Sequence, residues 1–188
     1  MTLARLAPLL LGLAFSAPCS AAGGRELVAA LRGVLQEDHV DVRDAVWIIE
    51  TSGLKVDDVV GGLARVLPGL PAASAVEAEY MLGRIGPRAA PAAPALLERL
   101  VASRDLDVRY EAVRALGRVG TAATPAVPAI AAAAGEADSD MRTAVAEALG
   151  RIDPAGALSA ATLGRLCGDA EEAVRAACAR ASRPLRDR

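Results

Sequence analysis

The sequence is poor in the side chains that carry most protein chemistry. Its 188 residues hold one His, one Phe, one Trp, two Tyr and three Cys, and a single Lys stands beside twenty Arg. With His39 alone, a metal site built from several imidazoles is arithmetically excluded. Aromatics at 2% mean that a core must be filled with Ala, Leu, Val and Ile. Such small side chains let backbones approach closely, which favours packed helices over a sandwich. No basic block tracks a phosphate backbone: Arg residues are interspersed with Asp and Glu, and the formal net charge is −2. That leaves no electrostatic footprint for nucleic acid and reads as solvated helix surface. No apolar run reaches the ~20 residues that cross a bilayer, so no stable membrane span is expected.

What the chain has in excess is Ala, more than forty residues, within a 53% apolar fraction that is far too high for a disordered chain. Its length suits one ordinary domain.

Residues 1–22 have the form of a signal peptide. Arg5 supplies a positive start, Leu6 to Pro18 an apolar stretch of about a dozen residues, and Cys19-Ser-Ala-Ala22 a small-residue exit. Cleavage is expected near Ala21 or Ala22, which makes the chain exported, periplasmic or secreted, with a mature domain over 23–188. A lipoprotein signal with Cys19 as lipid acceptor is the alternative, although Pro18 stands where such signals carry a small residue. Cys167 and Cys178 then remain in a compartment where they could pair. The repeat register places both on inward positions of consecutive antiparallel helices, about two residues before the turn and about eight after it. At ~1.5 Å per residue their Cα atoms fall some 9 Å out of step, past the ~7 Å limit for bridging, so two buried free thiols are expected.

Internal repetition is the dominant feature of the sequence. Leu82-Gly-Arg-Ile-Gly86, Leu116-Gly-Arg-Val-Gly120 and Leu149-Gly-Arg-Ile-Asp153 recur at spacings of 34 and 33. Asp107-Val-Arg109, Asp140-Met-Arg142 and Ala173-Val-Arg175 keep the same step, as do Pro91-Ala-Ala-Pro94 and Pro125-Ala-Val-Pro128. A degenerate first copy, Asp41 to Gly53, aligns on the third at an offset of 67. A period of 33 to 34 residues with two helical segments per copy predicts an all-α solenoid, a right-handed superhelix of about five repeats. The expected helices lie near 25–37, then in pairs near 40–52 and 57–67, 74–85 and 91–102, 107–119 and 125–134, 140–152 and 155–167, with a last one near 171–182. Asp107, Asp140 and Ser74 (with Glu77 three residues on) are the expected N-caps. Pro125 should open a second helix, and Gly86, Gly120 and Asp153 should close first helices. Val108, Ala112, Ala115, Leu116 and Val119 share one side of a helical wheel and form the expected core stripe.

The D-V-R-x-x-A-x-x-A-L-G-x-[VI]-G pattern carried by Asp107, Val108, Arg109, Ala112, Ala115, Leu116, Gly117 and Gly120 resembles the HEAT-like repeats of the phycobilisome-lyase type. Asp140, Arg142, Ala148, Leu149 and Gly150 repeat it. The resemblance covers about 40–182 and implies a scaffold or adaptor that binds another protein. It carries the alternative of an enzyme or enzyme subunit similar to bilin lyases. Iron-binding relatives use paired His-Glu motifs, and no His-Glu dipeptide exists in this chain.

Candidate sites follow from the register. Arg43, Arg109, Arg142 and Arg175 recur with Asp107 and Asp140, and read as capping and inter-repeat pairing rather than as a ligand ladder. Opposite the core stripe, one wheel position holds in turn Trp47, Tyr80, Arg114, Glu147 and Arg180. Four residues before each come Arg43, Val76, Tyr110, Thr143 and Ala176. Variation at a fixed repeat position is what a solvent-facing column shows, and exposed aromatics beside Arg are interface anchors. Trp47, Tyr80, Tyr110 and Arg114 are therefore the candidate protein-binding residues, although Trp47 equally suits a role in covering the helix at 25–37. His39, among acids, reads as part of a solvated turn. No catalytic residue, metal ligand or cofactor is expected. The chain is expected to act as a non-catalytic, monomeric scaffold whose groove is lined by the second helices.

Overall fold

The computed structural model describes residues 55–136 and 138–182. The leader, the helices expected near 25–37 and 40–52, His39 and Trp47 lie outside them. Among the described residues eight α-helices follow one another: α1 Val56–Val66, α2 Ala72–Ile85, α3 Ala93–Ala102, α4 Leu106–Val119, α5 Val127–Ala133, α6 Ser139–Ile152, α7 Ala160–Leu166 and α8 Glu172–Ala181. No strand occurs among the described residues. The chain is an all-α helical repeat solenoid. First helices α2, α4, α6 and α8 pack in succession, and second helices α1, α3, α5 and α7 form the other layer.

Between the layers runs one continuous core. Val108, Ala112, Ala115, Leu116 and Val119 of α4 are all buried, and Leu82, Leu116 and Leu149 occupy the same buried place in successive repeats. Close stacking explains the Ala excess and the glycine of the repeated Leu-Gly-Arg. A Cβ on Gly117 would meet Ala148 Cα at 2.8 Å, and one on Gly150 would meet Ala181 Cβ at 2.6 Å. The first helices thus touch backbone to backbone at equivalent points; Glu147 meeting Arg180 while Gly150 meets Ala181 shows that α6 and α8 run in the same direction.

Helix punctuation differs from the expectation in instructive ways. The N-cap of α4 is Asp105, whose side chain accepts from the N–H groups of Asp107 and Val108; that of α6 is Asp138, which accepts from Asp140 N–H. Asp107 and Asp140 therefore lie inside the first turn, where their charge suits the helix dipole, and do not cap. Ser74 lies inside α2, which starts after Pro71 without a side-chain cap. The second helices start two residues later than the prolines suggested. Gly86–Ala92 and Gly120–Ala126 form 3₁₀ turns containing Pro91 and Pro125, and the α-helices begin only at Ala93 and Val127. Gly120 at φ 80° makes the exit from α4 in a backbone region that other residues avoid.

The exit from α6 uses different chemistry. Asp153 replaces the glycine, and its carboxylate accepts from the N–H groups of Ala157, Leu158 and Ser159 and from Ser159 Oγ. That loop occupies residues where a helix was expected from 155, so α7 begins only at Ala160.

Cys167 and Cys178 form a disulfide, with Cα atoms 5.2 Å apart, which corrects the expectation of free thiols. An offset of about 9 Å requires two straight helices meeting in step at a tight turn. Instead the chain leaves α7 at Cys167, its exposed C-cap, and α8 begins only at Glu172. The intervening turn brings the middle of α8 to the end of α7, with the buried Cys178 Sγ 2.9 Å from Leu163 O.

Candidate protein-interaction face

All four described first helices carry Arg in the last turn, and all but α2 carry acid in the first. Asp107, Asp140 and Glu172 stand at the starts of α4, α6 and α8; Arg84, Arg118, Arg151 and Arg180 stand in the last turns of α2, α4, α6 and α8. For one helix this is ordinary dipole complementarity. Stacked side by side, the helices gather it into an acidic rim and a basic rim.

The column that the register singled out lies at the basic rim. Tyr80 is 36% exposed. Its hydroxyl accepts from Arg84 Nη1 at 2.9 Å, and the Arg84 and Arg118 guanidinium carbons lie 5.7 and 6.0 Å from its ring centre. Tyr110 is half-buried, packs against the core and carries Arg114 5.5 Å above its ring. Such cation–π contacts contribute roughly 0.5–1 kcal/mol each at exposed sites. Arg114 also donates to Glu111 Oε2 at 3.0 Å, and Arg180 to Glu147 Oε1 at 3.1 Å. The two Tyr thus sit on successive first helices, each under its own Arg. Trp47 lies outside the described residues.

Between α4 and α6 opens a cleft of about 170 Å³ lined by Arg114, Arg118, Ala144, Glu147, Ala148 and Arg151. A larger hollow of about 320 Å³ at the C-terminal end is lined in part by Leu163, Gly164 and Cys167 of the second-helix layer and by Ala181. The charged and aromatic residues gather on the first helices, away from the second helices expected to line a groove. Arg84, Arg118 and Arg151 were missed as site residues although they are the Arg of the repeated Leu-Gly-Arg.

Arg109, Arg142 and Arg175 serve the turns between repeats. Arg109 donates to Leu100 O and pairs with Glu136; Arg142 donates to Glu136 O at 3.2 Å and pairs with Asp169 through Nε at 2.8 Å and Nη2 at 3.0 Å. Arg175 donates to Asp169 O and Ala170 O at 2.7 and 2.6 Å. Arg109 thus grips the last turn of α3 and Arg142 the turn before its own helix, and each pairs with an acid 27 residues on. The hydrogen bonds from Arg142 hold the Asp169 carboxyl below its ordinary range.

Beneath this face lies Glu79, fully buried, where the equivalent residues are Val113, Ala146 and Ala179. Neither carboxyl oxygen has a hydrogen-bond partner, and the nearest cation is Arg99 Nε at 3.8 Å. Burial pushes its pKa up to about 8; Arg99 opposes the rise, and Glu111 and Asp105 add to it. Desolvation wins because one imperfect ion pair cannot replace the lost water.

Comparison with known proteins agrees with this architecture. A family model described as HEAT repeats matches residues 93–183. The crystal structure of an engineered protein from the Northeast Structural Genomics Consortium is similar at a TM-score of 0.54 and 21% identity, over 96% of this chain and 95% of that one. At that identity the likeness concerns the fold alone. No curated protein matches the chain.

Proposed function

We propose that this chain is a non-catalytic scaffold or adaptor, exported from the cytoplasm, that binds another protein through its first-helix face. The observation that carries the reading is the column Tyr80, Arg114, Glu147 and Arg180. Side chains change from repeat to repeat at one outward position, while the core beneath stays Ala, Leu, Val and Ile. A stacked solenoid presents such a column on a preformed surface, so little ordering entropy opposes association. HEAT repeats commonly mediate protein interactions, and the D-V-R-x-x-A pattern supports the phycobilisome-lyase subtype within them. Export is supported by the leader at 1–22 and by the disulfide, a bond favoured in oxidising compartments. No helix among the described residues is long and apolar enough to cross a membrane.

Two measurements test the reading. A photo-crosslinking residue at Tyr80 should yield one discrete adduct in intact cells, and the same residue at the exposed Ala132 of α5 should not; absence of any adduct at Tyr80 would count against a scaffold. N-terminal sequencing of the protein from cell fractions should find a mature start near residue 22 or 23 outside the cytoplasm. Recovery of intact Met1 chains in the cytoplasm alone would remove the export reading.

A further inference from the structure

We infer that the basic rim receives an extended acidic peptide segment of the partner protein, with carboxylates seated in turn on Arg84, Arg118 and Arg151. The inference rests on the scaffold reading and names the chemistry of its partner. Three observations carry it.

The first is charge. Arg84, Arg114, Arg118, Arg151 and Arg180 gather at this rim against Glu111 and Glu147, a local excess of three positive charges on a chain of formal charge −2. Both acids are already engaged, Glu111 by Arg114 and Glu147 by Arg180.

The second is unmet hydrogen-bonding capacity. Arg84 Nη2 and Arg118 Nη1 are buried donors without an acceptor. Dipole complementarity accounts for an Arg at each helix end and leaves these donors unanswered; a carboxylate that draws the guanidinium outward exposes them and satisfies them in forked geometry. Arg118 is further set against its like-charged neighbours: burial and the adjacent Arg114 lower its pKa, which an incoming anion would reverse.

The third is spacing. Arg84, Arg118 and Arg151 hold the same place on successive first helices, and packed helices lie roughly 8–10 Å apart. An extended chain in the polyproline II conformation advances ~3.1 Å per residue and returns to the same face every third residue, so carboxylates at every third residue match the column. Tyr80 beside Arg84 offers a rigid apolar surface to the residues between them. A nucleic acid fits less well, because its long polyanionic backbone would also meet the acidic rim at Asp107, Asp140 and Glu172.

The test uses the mature chain and a labelled twelve-residue peptide with Glu at every third position, compared with its Gln counterpart, a single-stranded oligonucleotide and vesicle-free buffer. The Glu peptide should bind, the Gln peptide should bind at least about tenfold more weakly, and salt should weaken the Glu complex. Arg118→Glu/Arg151→Glu should lower affinity for the Glu peptide about tenfold or more, whereas Arg165→Glu on α7 should not. If circular dichroism shows that the first pair disturbs folding, Arg151→Glu/Arg180→Glu, both at well-exposed positions, takes its place. Equal binding of the Glu and Gln peptides, tighter binding of the oligonucleotide, or indifference to both Arg pairs would overturn the proposal. So would concentration-dependent dimerisation abolished by Arg151→Glu, which would make a second copy of this chain the occupant. A crosslinked partner at Tyr80 together with a failed peptide test would refute the acidic segment alone and leave the scaffold standing.

Discussion

Gly117 and Ala148 bring α4 and α6 together so closely that a Cβ on the glycine would fall 2.9 Å from the Cβ of the alanine. The contact is ruled by backbone on both sides, so a substituent can be admitted only by moving a repeat. Gly117→Ala should therefore destabilise the chain by roughly 1–3 kcal/mol, even though Ala is the better helix former by ~1 kcal/mol. Gly61→Ala in α1, where nothing lies within 4 Å, should instead stabilise by up to about 1 kcal/mol. Urea unfolding of the two variants provides the comparison. Equal effects would show that helix propensity, and not repeat stacking, governs these glycines.

Glu79 should make stability fall as pH rises. Its pKa goes from an ordinary 4.5 to about 8 in the fold, so the folded state holds the proton more tightly. The contribution is fully present below about 4.5 and is lost as pH rises through about 8. Glu79→Gln should flatten this limb, and Glu79→Ala, the residue at the equivalent Ala146, should raise stability at pH 8 by on the order of 1–3 kcal/mol. Thermal melts between pH 5 and 9 measure both. A wild-type stability unchanged over that range would disprove the assignment.

Asp153 should act in the opposite sense. Burial raises its pKa, but the hydrogen bonds from Leu158, Ser159 and Ala157 outweigh that and lower it. Its contribution is present above the unfolded value and is lost as pH falls through the lower folded one. Asp153→Ala should cost about 1–2 kcal/mol, the scale of a lost helix cap, and should fray α7 first. Hydrogen exchange at Ala157, Leu158 and Ser159 reports it; unchanged protection there would show that the loop does not depend on this carboxylate.

Reduction of Cys167–Cys178 should lower stability by about 3 kcal/mol, the loop entropy of a closure spanning 11 residues. The loss should concentrate in α7 and α8, the two helices that the bridge joins. Melts with and without reductant, with thiol alkylation followed by mass, test this. Free thiols in protein purified without reductant would contradict the bridge.

The contrast between residues that the sequence identified correctly and those it misplaced has a physical pattern. Leu116 and its stripe were legible because periodicity records which side of a helix avoids water, and that side is the same in every copy. Asp105 was missed as a cap because a cap depends on where the backbone turns, and Asp-x-Asp offers two candidates that differ by half a turn. Arg118 was missed as a site residue for a different reason. Within one repeat it is a favourable charge at a helix end, and only the neighbours Tyr80, Arg114 and Arg151 make it part of a surface.

By itself the sequence determined the solenoid: the 33 to 34-residue period, the helix order and the small-residue core are all local or periodic properties. Tertiary structure alone decided what meets across repeats and turns. It joined Cys167 to Cys178, left Glu79 dry beneath the surface, and set the Arg of three separate motifs in one rim. Those relations depend on axial offset, burial and the direction of stacked helices, none of which a one-dimensional spacing records.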